Sequence, residues 1–423
     1  MLRLAGPVVL AEIGWMSMGI VDTIMVGPLG PAAIGATGMS SSLFIAIAIF
    51  GMGIMLGLDA LVAQSYGANR IDDCVRWLQH GICLAIGVAP PIMLLSYAGL
   101  STIDSWGLHE DVRRLAAPYL QVIVLSTLPL LFYATFRRYL QGIHLVRPVM
   151  YALITANLVN AFVNWVLIYG RLGAPALGVK GSAWATVLAR VYMASFLFVA
   201  ILREHRRRRE VQPHVPFRFD AGRIRRLVAL GVPAASQVTL EVGVFAAVSA
   251  LAGKLDPVSL GSHQIALNIA ALAFMVPLGL SSAVAVRVGH AVGARDAHRA
   301  VREGWTALAA GVAIMAIVGT ALFVFPVPLL RVFTNDPNVI DIGVRLLAIA
   351  GAFQVFDGTQ AVATGVLRGI GDTRTPMIMN VIGLWIGLSI GLVFVAVVLT
   401  VIWHRRTARF QLSEHAPGLP DLL

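Results

Sequence analysis

The chain has 423 residues, of which 58% are hydrophobic and only 13% are Asp, Glu, Lys or Arg. Because a soluble domain carries about 45–50% apolar and about 25% charged residues, this composition excludes a soluble enzyme, a disordered chain and a fibrous protein. The net charge of +11 is concentrated in short loops, where basic residues orient membrane helices, so no nucleic-acid partner is expected. The two cysteines, Cys74 and Cys83, are predicted to be free thiols rather than part of a disulfide framework or zinc site.

Long apolar runs bounded by charges, Gly and Pro predict eleven membrane-spanning helices, because one crossing needs about 20 apolar residues. The runs are continuous rather than alternating, which excludes an outer-membrane barrel. The chain is therefore predicted to be an all-α polytopic membrane protein. In chain order the predicted spans are 7–26, 38–63, 80–100, 117–136, 149–169, 181–202, 227–252, 259–284, 305–330, 343–366 and 376–403.

A single long linker, residues 203–226, interrupts this series and contains nine arginines and three acidic residues. It separates a predicted N-lobe of six helices (1–202) from a C-lobe of about five helices (227–403), which a polar tail (404–423) follows. Every second loop, counted from the N-terminus, belongs to one side of the membrane. Those loops hold 21 arginines, and the opposite loops hold seven Lys or Arg residues. This asymmetry places the N-terminus and the linker in the cytoplasm.

The two lobes are related by an internal repeat. When the sequence is shifted by 226 positions, Gly and Pro residues coincide without a gap over about sixty residues. Six spans precede the second copy, so both copies enter the membrane in the same orientation. The fold is therefore predicted to consist of two pseudo-symmetric parallel bundles of six and five or six spans around a central cleft, as in transporters that bind substrate between repeats. The matched pairs include Pro7 with Pro233, Gly27 with Gly253, Gly35 with Gly261, Gly53 with Gly279 and Gly67 with Gly293.

Acidic residues inside predicted spans are the strongest functional signal. Asp22 lies in the first span, Glu241 in the seventh and Asp357 in the tenth. Each costs about 2.5–3.5 kcal/mol at the bilayer centre unless it is paired, protonated or hydrated. The repeat places Val248 opposite Asp22 and Trp15 opposite Glu241. Because the acids are not duplicated with the scaffold, a specific role in binding or coupling a cation or proton is predicted for them.

Polar side chains accompany these acids at helical spacing. Residues three or four positions apart share one helix face, and a polar face on an apolar helix points into the bundle or into a wet cavity. Such residues are candidates for lining a substrate cavity, although interhelical hydrogen bonding is the alternative role. Asp59, near the cytoplasmic end of the second span where it could reach interfacial water, and His263 are weaker candidates for proton or cation binding. The cavity-lining candidates are Asn157, Asn160, Asn164, Gln237, Gln354 and Gln360.

Sequence motifs of enzymes and ATP-driven pumps are missing from the chain. It contains no Gly-rich phosphate loop with Lys, no HExxH and no GxSxG. No enzymatic activity and no cofactor are predicted, and transport energy is expected to come from an ion gradient.

Several segments resemble the multidrug and toxic compound extrusion (MATE) family, and the acids in spans one, seven and ten resemble its NorM-type branch. The resemblance covers the chain up to about Asn380. It implies a pair of six-helix bundles that export organic cations and drugs in exchange for Na⁺ or H⁺ by alternating access. The segments are VDTIMVGPLG (21–30), VAQSYGA (62–68), ALGVKGSAWAT (176–186), LGSHQIALNI (260–269), VRVGHAVGA (286–294) and ATGVLRGIGDTRTP (363–376).

The resemblance also implies roles for individual residues. Glu241 and Asp357 would coordinate a cation, Na⁺ included, or face the drug in the C-lobe, and Asp22 would be the proton or cation carboxylate of the N-lobe. Asp59 departs from the bacterial branch and resembles eukaryotic members. The implied setting is a monomer in the cytoplasmic (inner) membrane of a bacterium, in contact with membrane lipid and small organic cations.

The C-terminal region departs from the family pattern of twelve spans. The segment up to Trp385 resembles the start of the eleventh span and the segment from Ile386 resembles the twelfth, so about thirty residues are predicted to be deleted between them. With eleven spans, the tail arginines at 405, 406 and 409 would lie outside the cell, against the charge asymmetry of the other loops. A deletion within the last two spans explains this conflict. A shortened, inactive paralogue is therefore one alternative function.

Two further alternatives come from different chemistry. A flippase for lipid-linked sugar precursors shares the architecture, but it requires a cationic cavity to meet phosphate, and the predicted cavity carries acids. An intramembrane enzyme requires a paired nucleophile and base or a metal cluster, and the sequence contains no such grouping.

Overall fold

The computed structural model describes residues 2–101, 110–208, 215–252 and 257–386 of the chain. The predicted eleventh span (376–403) lies mostly outside these residues, as do the predicted junction at Ile386 and the polar tail. Within the described ranges, the regular secondary structure is helical, which confirms the prediction of an all-helical fold.

Fourteen α-helices are described, and they are numbered in chain order. The first eight are α1 (Leu2–Val26), α2 (Pro31–Ile54), α3 (Gly57–Gly67), α4 (Ile71–Ser101), α5 (Glu110–Ile123), α6 (Thr127–Gly142), α7 (Arg147–Tyr169) and α8 (Val179–Arg208). The remaining six are α9 (Ala221–Ala252), α10 (Pro257–Gly293), α11 (Ala297–Val324), α12 (Pro326–Arg331), α13 (Pro337–Gly369) and α14 (Arg374–Ile386).

Among the described residues, ten helical segments are long and apolar enough to cross a membrane. They coincide with the first ten predicted spans, so the multi-pass prediction is confirmed. Three spans contain a break that was not predicted. The second divides after Ile54 and the fourth at a 3₁₀ turn over 124–126, while the ninth ends at Val324 because Pro326 starts a new helix. A proline is favoured at the first position of a helix, where its missing N–H needs no partner.

Buried hydroxyl groups satisfy the backbone at the break in the fourth span. Ser126 Oγ donates to the Ile123 carbonyl at 2.5 Å, and Thr127 Oγ1 donates to the Val124 carbonyl at 2.6 Å. Both side chains are fully buried. A backbone group left without a partner in lipid is costly, and these two hydroxyls add donors for the carbonyls at the break.

The described chain forms two compact units that do not follow chain order. One comprises residues 10–58 and 71–235, and the other comprises 2–9, 59–70 and the described residues from 236 onward. Each half of the sequence therefore contributes short segments to the unit that the other half mainly builds. The lobe boundaries predicted at 202 and 227 stay a prediction.

Each unit has its own packed interior. In the first unit, Tyr119, Tyr133 and Tyr139 are buried, and the Tyr133 ring stacks on Trp15 with centroids 5.9 Å apart. In the second unit, a cluster from α10, α11 and α13 is built around Val284 and Val366, with Ala5 of α1 packed against it. In a bilayer, helices associate through close packing of this kind rather than through the hydrophobic effect.

Glycines of the repeat allow backbones to touch in the second unit. A Cβ added to Gly67 would lie 2.1 Å from the carbonyl oxygen of His290, and one added to Gly293 would lie 2.0 Å from that of Gln64. The two contacts are related by the 226-residue shift, because 67 matches 293 and 64 matches 290. The repeated glycines at these positions are therefore explained by helix packing.

Alanine at either of these glycines is expected to destabilise the protein. The new methyl group would overlap a backbone carbonyl that cannot rotate away, at a cost of about 1–3 kcal/mol for overpacking. Thermal unfolding of detergent-solubilised Gly67→Ala and Gly293→Ala, followed by size-exclusion chromatography, measures this effect. Gly87→Ala on α4 is the matched control, because nothing lies within 4 Å of the added methyl. Equal melting temperatures for all three variants would contradict the packing interpretation.

Candidate functional site

Asp22 lies near the end of α1 and accepts three hydrogen bonds from neutral side chains. Its Oδ1 accepts from Asn160 Nδ2 at 3.0 Å and from Asn164 Nδ2 at 2.7 Å, and its Oδ2 accepts from Thr186 Oγ1 at 2.8 Å. Asn160 and Asn164 are four residues apart on α7, so they face the same side of that helix. Thr186 comes from α8, which packs along α7. The structure thus brings the predicted acid together with two of the three predicted asparagines.

The third asparagine of that stripe has a different role. Asn157 Nδ2 donates to the carbonyl of Gly14 at 2.8 Å and to that of Leu153 at 2.9 Å. These bonds join α7 to the backbone of α1. Asn157 therefore acts as an interhelical hydrogen-bond donor, one turn away from the Asp22 cluster.

Glu241 of α9 is held by three amides in the second unit. Its Oε1 accepts hydrogen bonds from Gln237 Nε2 at 3.2 Å, Gln360 Nε2 at 2.8 Å and Asn380 Nδ2 at 2.6 Å. Gln237, Gln360 and Asn380 are buried, and they come from α9, α13 and α14. The carboxylate is therefore fixed at the junction of three helices.

Asp357 of α13 is half-buried and lies three residues before Gln360, so both side chains lie on one face of the helix. It interacts electrostatically with Glu241. Within the part of the chain that the structure describes, Asp357 makes no hydrogen bond and no ion pair. Two carboxylates in one apolar neighbourhood repel each other unless a cation or a proton compensates one of them.

Gln354, from the same predicted stripe, does not contact either acid. Its side chain is 1% exposed, and its Nε2 donates to the carbonyl of Ala270 on α10 at 3.1 Å. It therefore links α13 to α10 in the way that Asn157 links α7 to α1. His263 lies half-buried in α10.

Asp59 does not reach interfacial water, contrary to the expectation from its position near the end of a span. It is 1% exposed and forms an ion pair with Arg368 of α13, with Oδ2 and Nε 3.3 Å apart. Both residues belong to the second unit. The break between α2 and α3 places Asp59 at the start of α3, where it packs against the end of α13 instead of facing solvent.

Several arginines of the predicted basic loops lie inside helices and pair with acids there. Arg137 of α6 is buried against Glu12 of α1, and Arg287 of α10 pairs with Glu303 of α11. Arg368 pairs with Asp59. These helices extend beyond the predicted apolar runs, and a paired arginine is tolerated where an isolated one is costly.

Several residues of these clusters were not predicted. Asn380 is a single polar residue without a polar neighbour at helical spacing, and Thr186 is an uncharged residue of an apolar span, so only the folded chain places them beside an acid. Glu12 and Arg190 are different, because each is an ionisable residue inside a predicted span. The criterion that selects Asp22 selects them as well.

A known protein family covers both halves of the repeat. The MatE family model matches residues 7–166 and 233–394, which is most of the chain and both halves of the repeat. The chain belongs to the MatE family. The resemblance seen in the sequence is thereby confirmed.

Similar proteins of known name include NorM proteins of bacteria. The chain is 35% identical to a probable multidrug resistance protein NorM of Mesorhizobium japonicum, over 96% of this chain and 93% of that protein. It is 30% identical to the multidrug resistance protein NorM of Photobacterium profundum, over 92% of this chain and 86% of that protein. Among solved structures, the eukaryotic MATE transporter AtDTX14 has a TM-score of 0.83 at 19% identity, with 97% of each chain covered. The last comparison bears on the MatE fold alone.

The ion pair between Asp59 and Arg368 is expected to be structural in this MatE protein. Removing one partner of a buried pair leaves the other charge uncompensated, which costs about 3–5 kcal/mol. We expect Asp59→Asn and Arg368→Met each to lower the melting temperature of the purified protein. The double variant is expected to recover most of the loss, because no lone charge remains. A double variant that is as unstable as the sum of the two single variants would contradict the pairing.

Proposed function

We propose that the protein is a secondary active multidrug exporter that takes up Na⁺ or H⁺ in exchange for cationic, amphipathic drugs. Membership in the MatE family and the similarity to proteins named multidrug resistance protein NorM support this proposal. The observation that carries it is the pair of acids Glu241 and Asp357 within the membrane-spanning helices α9 and α13.

Charge compensation explains why this pair suits ion exchange. Each carboxylate costs about 2.5–3.5 kcal/mol at the bilayer centre, and the amides around Glu241 supply hydrogen bonds but no positive charge. A positive ion that enters from either side of the membrane lowers this free-energy cost by compensating the negative charge. An inward-moving Na⁺ or H⁺ and an outward-moving organic cation compete for the same negative charge, so binding of one displaces the other.

The two acids are suited to different tasks. Glu241 is oriented by three amide donors, so its position is set before any ion arrives, whereas Asp357 makes no hydrogen bond among the described residues. We assign the variable step to Asp357, whose carboxylate is available to a drug ammonium group, to Na⁺ or to a proton. Glu241 then supplies the fixed part of the negative charge.

The driving force of such an exchange is adequate. When one more positive charge enters than leaves in each cycle, a potential of about 100 mV supplies about 2.3 kcal/mol, which corresponds to about fiftyfold accumulation of drug outside the cell. We place this exporter in the cytoplasmic membrane of a bacterium, as a monomer with its N-terminus inside. Membrane lipid surrounds the protein. The proposed exchange requires neither a resident cofactor nor a catalytic activity.

A flippase for lipid-linked precursors is the less favoured function of this architecture. Its substrate is a phosphate ester, which requires arginine or lysine at the binding site. The cluster around Glu241 and Asp357 has the opposite charge.

Asp357→Asn is expected to abolish drug export without loss of membrane insertion. The substitution keeps the shape of the side chain and removes the charge that the ions exchange. Ethidium accumulation in a bacterial host without its own multidrug pumps measures the effect, and the variant is expected to accumulate as much dye as cells that carry the empty vector. Asp341→Asn is the matched control, because Asp341 lies on the same helix and is exposed in a pair with Arg345. Full export by Asp357→Asn would contradict the assignment.

The source of energy can be separated in the same cells. We expect ethidium export to stop when an uncoupler collapses the proton gradient, when Na⁺ is withdrawn from the medium, or in both conditions. Dye accumulation is measured in each condition against the untreated cells. Export that survives both treatments together would exclude an ion-driven exchanger.

A further inference from the structure

Part of the Arg-rich linker, residues 215–220, lies against the start of α4 and is called the linker segment below. The backbone N–H of Asp220 donates to His80 Nε2 at 2.9 Å, and Gln79 Nε2 donates to the carbonyl of Val215 at 3.4 Å. All of these residues belong to the first unit. Both ends of the linker segment are therefore attached to neighbouring residues of one membrane-spanning helix.

His80 anchors the linker segment. Its side chain is fully buried, and its Nδ1 lies 2.7 Å from the carbonyl oxygen of Arg76. A carbonyl oxygen can only accept, so Nδ1 carries the ring proton and Nε2 accepts from Asp220. Directly after the segment, Arg223 of α9 pairs with Asp73 of α4 at 2.7 Å. The linker segment is therefore held on α4 by bonds on both sides of it.

Two large apolar side chains of the linker segment are exposed. Phe217 is 53% exposed and Phe219 is 67% exposed. Their ring centroids lie 6.0 and 6.2 Å from that of His80. His80 is the first residue of the predicted third span, so both phenylalanines lie at the level where α4 enters the membrane. Amphipathic segments place aromatic side chains at this boundary between lipid head groups and acyl chains.

Arginines accompany the exposed phenylalanines. Arg218 lies between them, Arg225 lies at the start of α9, and Arg206 and Arg207 lie at the end of α8. All four are exposed, and none forms an ion pair within the described residues. Asp73 and Asp220 are paired with Arg223, so these acids do not cancel the four charges. The other acids of these stretches within the described ranges are Asp72, which is exposed, and Glu204, which is half-buried.

The basic end of α8 lies on the same side of the first unit as the linker segment. His205 Nε2 and the Tyr139 hydroxyl of α6 are 2.9 Å apart. One turn before Tyr139, the Thr135 side chain lies 3.0 Å from where a Cβ on Gly81 would be, and Gly81 follows His80. The end of α8 is therefore connected to the linker segment through α6, and the arginines at 206, 207, 218 and 225 surround one group of helix ends.

We propose that the linker segment and these four arginines bind the head group of an anionic phospholipid. The rings of Phe217 and Phe219 enter the boundary between head groups and acyl chains, and Arg218 donates N–H groups to the lipid phosphate. Inorganic phosphate offers the same oxygens but no acyl chain for the phenylalanines. A zwitterionic lipid offers the chains, but its own amine cancels the charge. The surface therefore selects a lipid such as phosphatidylglycerol, and it is separate from the acids of the proposed exchange.

Native mass spectrometry of the full-length protein, with phosphatidylglycerol added in detergent, tests this inference. It gives the dissociation constants of successive bound lipids, and the site is identified by the constant that the variants change. We expect Arg218→Gln to raise that constant about fivefold, the contribution of one arginine near an anionic lipid surface. Phe217→Ser combined with Phe219→Ser keeps every charge and is expected to raise the same constant by a similar factor. Arg171→Gln, at an exposed arginine after α7, is the matched control and is expected to change nothing.

Further arms of the experiment identify the ligand and the anchor. We expect phosphatidylcholine to bind the wild type and Arg218→Gln equally, and inorganic phosphate to leave phosphatidylglycerol binding unchanged. His80→Ala, which removes no charge and no exposed ring, is expected to weaken phosphatidylglycerol binding. Unchanged constants in Arg218→Gln, or displacement of the lipid by inorganic phosphate, would overturn the inference. An effect of the arginine variant without any effect of the phenylalanine variant would overturn it too, because charge attraction alone would then account for binding.

Discussion

A charged side chain inside a bilayer must be compensated, and most features of this protein follow from the way each buried charge meets that requirement. Three acids are compensated by arginines, Glu12 by Arg137, Asp59 by Arg368 and Glu303 by Arg287. These pairs need no external ion, because each charge is compensated by its partner within the protein. Other acids are compensated incompletely, and ion exchange becomes possible at those positions.

The incomplete sites are of two kinds. Asp22 is surrounded by three neutral donors, one of which, Thr186, lies one helical turn before Arg190 on α8. Glu241 has three amide donors as well, but its charged neighbour is Asp357, which carries the same sign. The first cluster therefore contains one carboxyl group, and the second contains two.

The internal repeat preserves the glycines at helix contacts but not the acidic residues. Gly67 and Gly293 make equivalent backbone contacts in the second unit, so the repeat preserves the positions at which helices touch. The acids do not follow it, because Trp15 and Val248 occupy the positions equivalent to Glu241 and Asp22. The repeat therefore accounts for the helix contacts and not for the charged groups.

The sequence by itself determined the helical membrane fold, ten of the spans, the repeat and three acids inside the membrane. It could do so because the length of an apolar run and the free-energy cost of a charge in lipid are local properties of the chain. Only the tertiary structure decided which side chains meet. Asn157 and Gln354 share a stripe with their neighbours in sequence yet bond to backbone carbonyls, while Thr186 and Asn380 reach acids more than 130 residues away. Helix spacing predicts the face on which a residue lies, but the partner across that face depends on how helices distant in sequence pack together.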